Sequence, residues 1–446
     1  MSQNYMDVQK FIDQLRFGKV QKLILLLCFC VVAIDGFDTA SIGFIAPTLK
    51  QDWGVLPTEL AALFASGLIG LMLGALVFGP LADRFGRKTM LVLCIFLFGC
   101  SSLASAYSPE INFLIFLRFL TGIGLGGAMP TAITLMSEYC PSSRRSVLVM
   151  TMFCGFTIGS AVGGIISARL IPLVGWQGIL FIGGILPLIL LPIFYFLVPE
   201  SLRFKVLKRH TETDIQAIIK RLAPHLQTRV ILKSQKEENA TSSVRELLSR
   251  KYWCSTLLIW TTYFMSLMII YLISSWMPTL LTNIGATLEK ASLATAVFQI
   301  GGTLGSITLG YLMDKIGADR MLSSAYLLGA LFVFFSGFST SSLFWLILSI
   351  FIVGVCISGG QTGLNAYTAG FYPTHCRATG VSWANAIGRC GSVLGSFIGG
   401  WLISFNLDIS AILSLLAMPA LLAALSLWLL RRNRQDYMFS PEYLEH

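Results

Sequence analysis

The sequence predicts an all-α membrane protein in which twelve transmembrane helices form two pseudo-symmetric six-helix bundles. Only 12% of the 446 residues are charged and 55% are hydrophobic, whereas a soluble domain has about 25% charged residues. Apolar runs of about twenty residues recur along the whole chain, and each is long enough to cross a bilayer core about 30 Å thick. The second half of the chain also repeats sequence features of the first half.

Twelve apolar runs are the predicted membrane spans. They lie near residues 22–48, 59–81, 89–107, 110–137, 147–171, 176–198, 253–281, 289–313, 321–338, 342–370, 378–404 and 408–430. The residues before the first run are polar, and this run is longer than the apolar part of a signal peptide. A cleaved signal is therefore not predicted.

The distribution of positive charge predicts the orientation of the chain. With the N-terminus in the cytoplasm, all but five of the 32 Lys and Arg residues fall on the cytoplasmic side. The five are Lys50, Arg169 and Lys290, near external loops, and Arg118 and Arg389, inside spans. The positive-inside rule then places both termini in the cytoplasm. The net charge of +10 therefore reflects membrane topology and does not indicate a nucleic-acid-binding surface.

A weak internal repeat indicates how the chain is divided. The segment GPLADRFGRK at 79–88 recurs as GYLMDKIG at 310–317, and Asp83 and Asp314 are 231 residues apart. The segment APTL at 46–49 matches MPTL at 277–280 at the same offset. Parallel repeats of six spans predict a ligand site between two lobes, near the bilayer midplane.

Four regions follow from this repeat. They are an N-terminal bundle at 1–198, a cytoplasmic linker with short amphipathic helices at 199–252, a C-terminal bundle at 253–430 and a cytoplasmic tail at 431–446. The linker is the longest polar stretch between spans, and its charges favour a position near the membrane surface.

Two carboxylates, Asp35 and Asp38, are embedded in the first apolar run. Asp35 lies about 18 Å along this span, where an ionised carboxylate costs several kcal/mol unless it is paired, hydrated or protonated. The three-residue spacing places both acids on one helix face, and Gly36 leaves room for a neighbouring helix or a ligand. The repeat-related residues Ser266 and Ile269 are uncharged, so the architecture does not demand acids. The pair predicts proton carriage or coupling. The alternatives are sodium coupling, a polar helix-packing contact, or a structural ion pair with Arg118 or Arg389.

Arg118 and Arg389 lie inside predicted spans, and a guanidinium keeps its charge, so each needs an anion or water. Arg389 is interpreted either as a bidentate clamp for a substrate carboxylate or as a permanent salt-bridge partner of Asp35 or Asp38. Asn385 lies one turn before Arg389 on the same face and is a second candidate for that ligand. Arg118 is predicted either to assist proton movement or to bond neighbouring helices.

Three further motifs carry a resemblance to a known family. GPLADRFGRK at 79–88 resembles the loop signature between the second and third spans of the major facilitator superfamily. The pattern RxxxGxxxGG at 118–127 and PESLRF at 199–204 resemble its motifs in the fourth span and after the sixth. Within that superfamily, DGFD at 35–38 resembles the aromatic acid:proton symporter family.

The resemblance implies a major facilitator fold and import of a small aromatic carboxylate, of the benzoate, hydroxybenzoate or protocatechuate class, by proton symport. It implies a monomer in the bacterial inner membrane, with the lipid bilayer, protons and the aromatic acid as partners. No cofactor, metal or nucleic acid is expected. The alternative is proton-coupled or uncoupled transport of another small organic anion. An enzyme is disfavoured because no histidine box or nucleophile elbow is present.

The resemblance also implies residues for the aromatic ring and for gating. Candidates for contacts to the ring and its hydroxyl groups are Phe37, Tyr271, Trp383, Gln299, Gln361 and Asn365. Each aromatic residue has the alternative role of core or interfacial packing. The predicted gating charges are Asp83, Arg84, Arg87, Lys88, Arg118, Glu138, Arg144 and Asp314. Asp83 and the loop arginines are expected to latch the second span to the eleventh in one conformational state.

Overall fold

The computed structural model describes residues 5–15, 17–208, 211–223, 231–233, 247–249, 252–339, 342–372, 376–405 and 407–438. Within these ranges the chain is almost entirely helical. Much of the predicted linker, at 209–210, 224–230, 234–246 and 250–251, lies outside the described residues, as does the tail from 439 onward.

The described residues of the first half form β1, eight α-helices and β2. In chain order these are β1 (Tyr5–Asp7), α1 (Val8–Gln14), α2 (Lys19–Trp53), α3 (Pro57–Phe85), α4 (Arg87–Ser105), α5 (Ile111–Tyr139), a 3₁₀ turn (Ser142–Arg144), α6 (Arg145–Leu197), α7 (Leu202–Leu207), α8 (Glu212–Leu222) and β2 (Ile231–Lys233). The strands β1 and β2 pair in parallel, with Met6 opposite Leu232.

Where the structure describes the second half, it contains eight α-helices. They are α9 (Trp253–Asn283), α10 (Leu288–Ile316), α11 (Ala318–Phe338), α12 (Leu343–Val353), α13 (Gly359–Phe371), α14 (Arg377–Ser404), α15 (Ile409–Leu415) and α16 (Ala417–Met438). A π-helical segment, Gly354–Ser358, joins α12 to α13 within one predicted span. Such segments within α-helices often occur at functional sites.

Eleven helical stretches of the described chain are long and apolar enough to cross a membrane. The longest, α6, has 53 residues and contains two of the predicted spans. It is divided at Gly175, whose φ of 73° lies in the left-handed region that glycine adopts without strain. When α6 is counted as two spans, the structure contains the twelve predicted spans, and the predicted all-α membrane fold is confirmed.

The chain divides into two compact units that do not follow the two halves of the sequence. Unit 1 contains Met1–Thr39, Ile69–Ser160 and Trp176–Asn239. Unit 2 contains Ala40–Leu68, Ala161–Gly175 and Ala240–His446. The region boundaries predicted at residues 198, 252 and 430 stay predictions, although the short helices α7 and α8 do lie within the predicted linker.

Unit 1 has a large apolar core and a small one. The large core joins α2, α3, α4, α5 and α6 through fully buried side chains that include Phe98, Leu135, Tyr139 and Phe194. The small core packs α1 and β2 against α7 and α8, with Ile12 and Ile219 almost completely buried. It therefore attaches the start of the chain to the linker helices.

Unit 2 packs the C-terminal end of α2 and the N-terminal end of α3 against the second half of the chain. Gly43 of α2 lies so close to α9 that an added Cβ would be 2.5 Å from the carbonyl oxygen of Ser274. The rings of Phe64 and Trp276 meet edge to face, with centroids 4.9 Å apart. Small residues allow this close approach of helix backbones, as is usual in membrane proteins.

Candidate proton and substrate sites

The first candidate site is a buried ion pair in unit 1, between α2 and α5. Arg118 Nη1 lies 3.0 Å from Asp38 Oδ2, and each residue is only 2% exposed. Removing two charges from water is costly, so such a pair is retained only where further hydrogen bonds complete it. Of the two arginines predicted as alternative partners for the acids, Arg118 is the one that contacts Asp38.

Serines of α4 complete the pair. Ser102 Oγ donates to Asp38 Oδ1 over 2.6 Å. Ser105 Oγ accepts from Arg118 Nη2 at 2.9 Å and from Nε at 3.3 Å, and it donates to the Ser101 carbonyl oxygen at 2.7 Å. Both oxygens of the carboxylate and three nitrogens of the guanidinium thus have partners. The arrangement is a closed hydrogen-bond network that holds opposite charges away from water.

Asp35 lies three residues earlier on α2 and has different neighbours. It is 1% exposed, and Thr39 Oγ1 donates to its Oδ1 over 3.1 Å. Gly36, between the two acids, packs directly on the backbone of Phe156 in α6. The space at this glycine is therefore occupied by a neighbouring helix, which was one of its two predicted uses.

The second candidate site, in unit 2, is centred on Arg389 of α14. Arg389 Nη1 donates to the hydroxyl oxygen of Tyr271 in α9 over 2.9 Å, and Tyr271 is 9% exposed. The tyrosine orients the guanidinium but does not neutralise its charge. Asn385 lies one turn before Arg389, and its Nδ2 donates to the Val381 carbonyl within the same helix over 2.9 Å.

The three predicted amides of unit 2 have distinct surroundings. Gln299 Nε2 donates to Ser274 Oγ over 3.2 Å, and Asn365 Oδ1 accepts from the Tyr263 hydroxyl at 2.9 Å. Gln361 is 8% exposed, and its buried Oε1 has no hydrogen-bond partner among the described residues. Gln361 follows the π-helical segment by three residues. An unsatisfied buried carbonyl oxygen of this kind is an acceptor available to a ligand.

The two remaining aromatic candidates differ in position. Phe37 is 4% exposed and lies in unit 1, near Gly183 of α6. Trp383 is 40% exposed and stacks on Trp260, with ring centroids 5.8 Å apart. It is six residues from Arg389 on one helix, and so about 120° around the axis from it. This position fits the packing alternative for Trp383 better than contact with the ligand of Arg389.

The predicted gating charges are only partly clustered. Arg87 is 9% exposed and contacts Asp83 at 2.8 Å and Glu138 at 3.2 Å. Lys88 Nζ lies 4.9 Å above the ring of Tyr195. Arg84, Arg144 and Asp314 are exposed. Arg118 lies with Asp38 instead of with this cluster.

Sequence reasoning did not identify Ser102 and Ser105 as parts of the proton site. The sequence does show that the two serines are three residues apart, a spacing that places both hydroxyls on one face of α4. Serine is common in packed membrane helices, so the spacing alone does not single them out. The rotation of α4 against α2 and α5 gives them this role.

Comparisons with known proteins agree with this architecture. The sequence model of the Major Facilitator Superfamily matches residues 28–282 and 259–442. The chain is 44% identical over 421 residues to the 4-hydroxybenzoate transporter PcaK of Pseudomonas aeruginosa, with 94% of each chain covered. It is 43% identical over 423 residues to the gallate transporter of Pseudomonas putida, again with 94% of each covered.

A solved structure with the same fold is the inward-open xylose transporter XylE from E. coli. The TM-score is 0.73 at 18% identity, and the match covers 92% of this chain and 95% of XylE. The sequence relatives are transporters, so the chain is a multi-pass membrane transporter and not an enzyme. The resemblance drawn from the sequence motifs is thereby confirmed. The chain belongs to the Major Facilitator Superfamily, in which it groups with transporters named for aromatic acids.

Proposed function

We propose that this protein imports a small aromatic carboxylate with a ring hydroxyl group across the bacterial inner membrane by proton symport, with both termini in the cytoplasm. The relatives named for 4-hydroxybenzoate and gallate support this substrate class. The observation that carries the proposal is the buried ion pair of Asp38 and Arg118, together with Arg389 in the other unit.

The proton is assigned to Asp38. Of the two members of the pair only the carboxylate exchanges a proton, because a guanidinium stays charged in proteins. Protonation of Asp38 would remove the attraction at 3.0 Å and leave Arg118 bonded to Ser105 alone. The network would then rearrange, because an unpaired buried charge is costly. Proton uptake is thereby linked to a change in the contacts between α2, α4 and α5. Asp35 is the second proton-exchanging candidate because it is equally buried on the same helix.

The substrate carboxylate is assigned to Arg389. Tyr271 holds one nitrogen of the guanidinium through a neutral hydroxyl group. The planar guanidinium has five N–H donors, and a carboxylate matches two of them in parallel. Binding the carboxylate would neutralise the arginine without any loss of the Tyr271 contact. Asn385 lies about 40° around α14 from Arg389 and one turn below it, where a second donor is available.

The ring hydroxyl is assigned to Gln361. Its Oε1 is buried and lacks a partner among the described residues, so an incoming O–H group would satisfy it. Asn365 is one turn further along α13, but its Oδ1 already accepts from Tyr263. The site is therefore expected to favour hydroxybenzoates over benzoate.

Uptake into proteoliposomes that contain the purified protein tests this function. With an inward proton gradient, radiolabelled 4-hydroxybenzoate is expected to accumulate above its external concentration, and an uncoupler is expected to abolish the accumulation. Benzoate should compete more weakly than 4-hydroxybenzoate, and 4-hydroxybenzamide should compete only weakly. Equilibration that the uncoupler does not change would favour uncoupled transport of an organic anion. Accumulation of a non-aromatic acid with no competition by ring acids would overturn the substrate class.

The number of protons decides how strongly the membrane potential drives uptake. One proton with one monovalent anion is electroneutral, whereas each further proton adds about 2.3 kcal/mol per 100 mV. Asp35 and Asp38 together provide two carboxylates for this purpose. Measuring accumulation with and without an imposed potential separates the two cases.

A further inference from the structure

A basic pocket of about 520 Å³ lies in unit 1, where α3 ends, α4 begins and α6 gives way to α7. Four cationic side chains, Arg84, Lys88, Lys205 and Lys208, line it together with a single carboxylate, Glu200. Arg84 and Lys88 are also predicted gating charges, but no role proposed above gives this pocket a ligand. Its excess of positive charge indicates an anionic ligand.

The one carboxylate of the pocket is already engaged. Glu200 Oε1 accepts from the backbone N–H of Lys88 at 2.9 Å, and Oε2 accepts from that of Thr89 at 3.3 Å. It therefore caps the first turn of α4 and satisfies N–H groups that have no partner within the helix. Lys205 is paired with Asp214 at 3.1 Å. Glu200 offsets part of the charge of Lys88, and Arg84 and Lys208 add two further cations, so the pocket remains net positive and attracts an anion.

The pocket also borders apolar surface that continues along the membrane helices. Lys88, Val92 and Phe96 follow one another at four-residue spacing on α4, and Phe96 is 53% exposed. On α6, Tyr195 is 53% exposed beneath the ammonium group of Lys88, and Phe196 is 72% exposed. A soluble anion would use only the cations, whereas a lipid would use both the cations and this apolar surface.

We propose that this pocket binds the phosphate headgroup of an anionic phospholipid. The acyl chains lie along the exposed apolar faces of α4 and α6, and the tyrosine marks the level of the interface. Clusters of lysine and arginine at the membrane boundary bind anionic headgroups in this way. Because Glu200 caps α4 within the same pocket, the bound lipid stabilises the turn between α3 and α4 that carries Arg87.

Lipid binding to the full-length protein tests this site. The protein is purified in detergent, and native mass spectrometry follows titrations with phosphatidylglycerol and with zwitterionic phosphatidylethanolamine. The double variant Lys88→Gln/Lys208→Gln is expected to bind phosphatidylglycerol about 30-fold more weakly, since each lysine near a headgroup is worth roughly a factor of five. Binding of phosphatidylethanolamine should be weak and unchanged.

The matched control is Lys315→Gln. Lys315 lies in the last turn of α10, in the repeat-related segment at 310–317. Its Nζ is 4.4 Å above the ring of Tyr311, so it is also a lysine on an aromatic ring, but it lies outside the pocket. The Lys315→Gln variant should bind phosphatidylglycerol as tightly as the unaltered protein does. The single variant Lys208→Glu, at an exposed position after α7, replaces the double variant if the latter does not fold.

Three outcomes would overturn the proposal. The first is an equal loss of phosphatidylglycerol binding in the pocket variant and in Lys315→Gln. The second is equal binding of phosphatidylglycerol and phosphatidylethanolamine by the unaltered protein. The third is displacement of phosphatidylglycerol by millimolar inorganic phosphate. The last outcome would identify the ligand as a free anion.

Discussion

Arg118 Nη1 and Asp38 Oδ2 are 3.0 Å apart in a part of unit 1 where both side chains are almost completely buried. Ser102 and Ser105 occupy the remaining atoms of the pair. A buried pair of this kind is weak support for stability, because hydrophobic residues of similar volume often serve as well. The presence of this pair between the first and fourth spans is better explained by a role in the transport cycle, in which protonation of Asp38 breaks the contact with Arg118.

Asp38→Asn tests this explanation. The variant cannot exchange a proton at this position, and it leaves Arg118 charged beside a neutral amide, so proton-driven accumulation above the external concentration should be lost. Unfolding should also become easier, by about 3–5 kcal/mol, because one partner of a buried pair is lost. Uptake driven by a pH gradient measures the first effect and a thermal melt in detergent the second.

The variant Asp38→Asn/Arg118→Gln is the control for the structural part of this loss. It removes both charges, so most of the stability should return while accumulation stays absent. If it accumulated substrate as the unaltered protein does, the pair would not carry the proton.

Arg389→Lys tests the carboxylate clamp. Lysine keeps the charge but offers a single ammonium group in place of the planar fork, so KM for 4-hydroxybenzoate should rise about tenfold or more. Binding of 4-hydroxybenzamide, already weak, should change little. Tyr271→Phe is the milder comparison, since it removes only one hydrogen bond, and its effect should be about threefold to tenfold. Equal loss of acid and amide binding in Arg389→Lys would assign the arginine to packing.

The sequence was sufficient to predict the twelve spans and the burial of Asp35 and Asp38, since both depend on the local composition of single helices. It was not sufficient to decide which arginine contacts Asp38. Arg118 and Arg389 are equally embedded in apolar runs, and the choice depends on how α2, α4 and α5 are rotated against one another. Ser102 and Ser105 were missed for the same reason. The kink at Gly175 joins two spans that hydropathy separates, because a glycine at positive φ turns the helix without a loop.

Gln361→Leu tests the assignment of the ring hydroxyl. Leucine is similar in volume and cannot accept a hydrogen bond, so the preference for 4-hydroxybenzoate over benzoate should fall by about fivefold to tenfold. KM for benzoate itself should stay the same or decrease, since an unsatisfied buried acceptor is removed. Asn365→Leu is the matched control one turn away, because it breaks the Tyr263 contact and should weaken both substrates alike. An unchanged preference in Gln361→Leu would contradict the assignment.

Gly43→Ala tests whether the packing of α2 on α9 is part of the transport cycle. The added methyl group would lie 2.5 Å from the Ser274 carbonyl oxygen, and a backbone atom cannot yield as a side chain can, so uptake should fall about tenfold at equal membrane levels. Gly310→Ala is the matched control, since nothing lies within 4 Å of its added Cβ. The pair Lys50→Cys and Asn283→Cys, joined by a bifunctional thiol reagent, reports the packing itself, because the side-chain ends Lys50 Nζ and Asn283 Oδ1 are 3.0 Å apart. In a background without the native cysteines, Gly43→Ala should lower the yield of this cross-link. Full cross-linking together with lost transport would mean that the glycine acts elsewhere than at this contact.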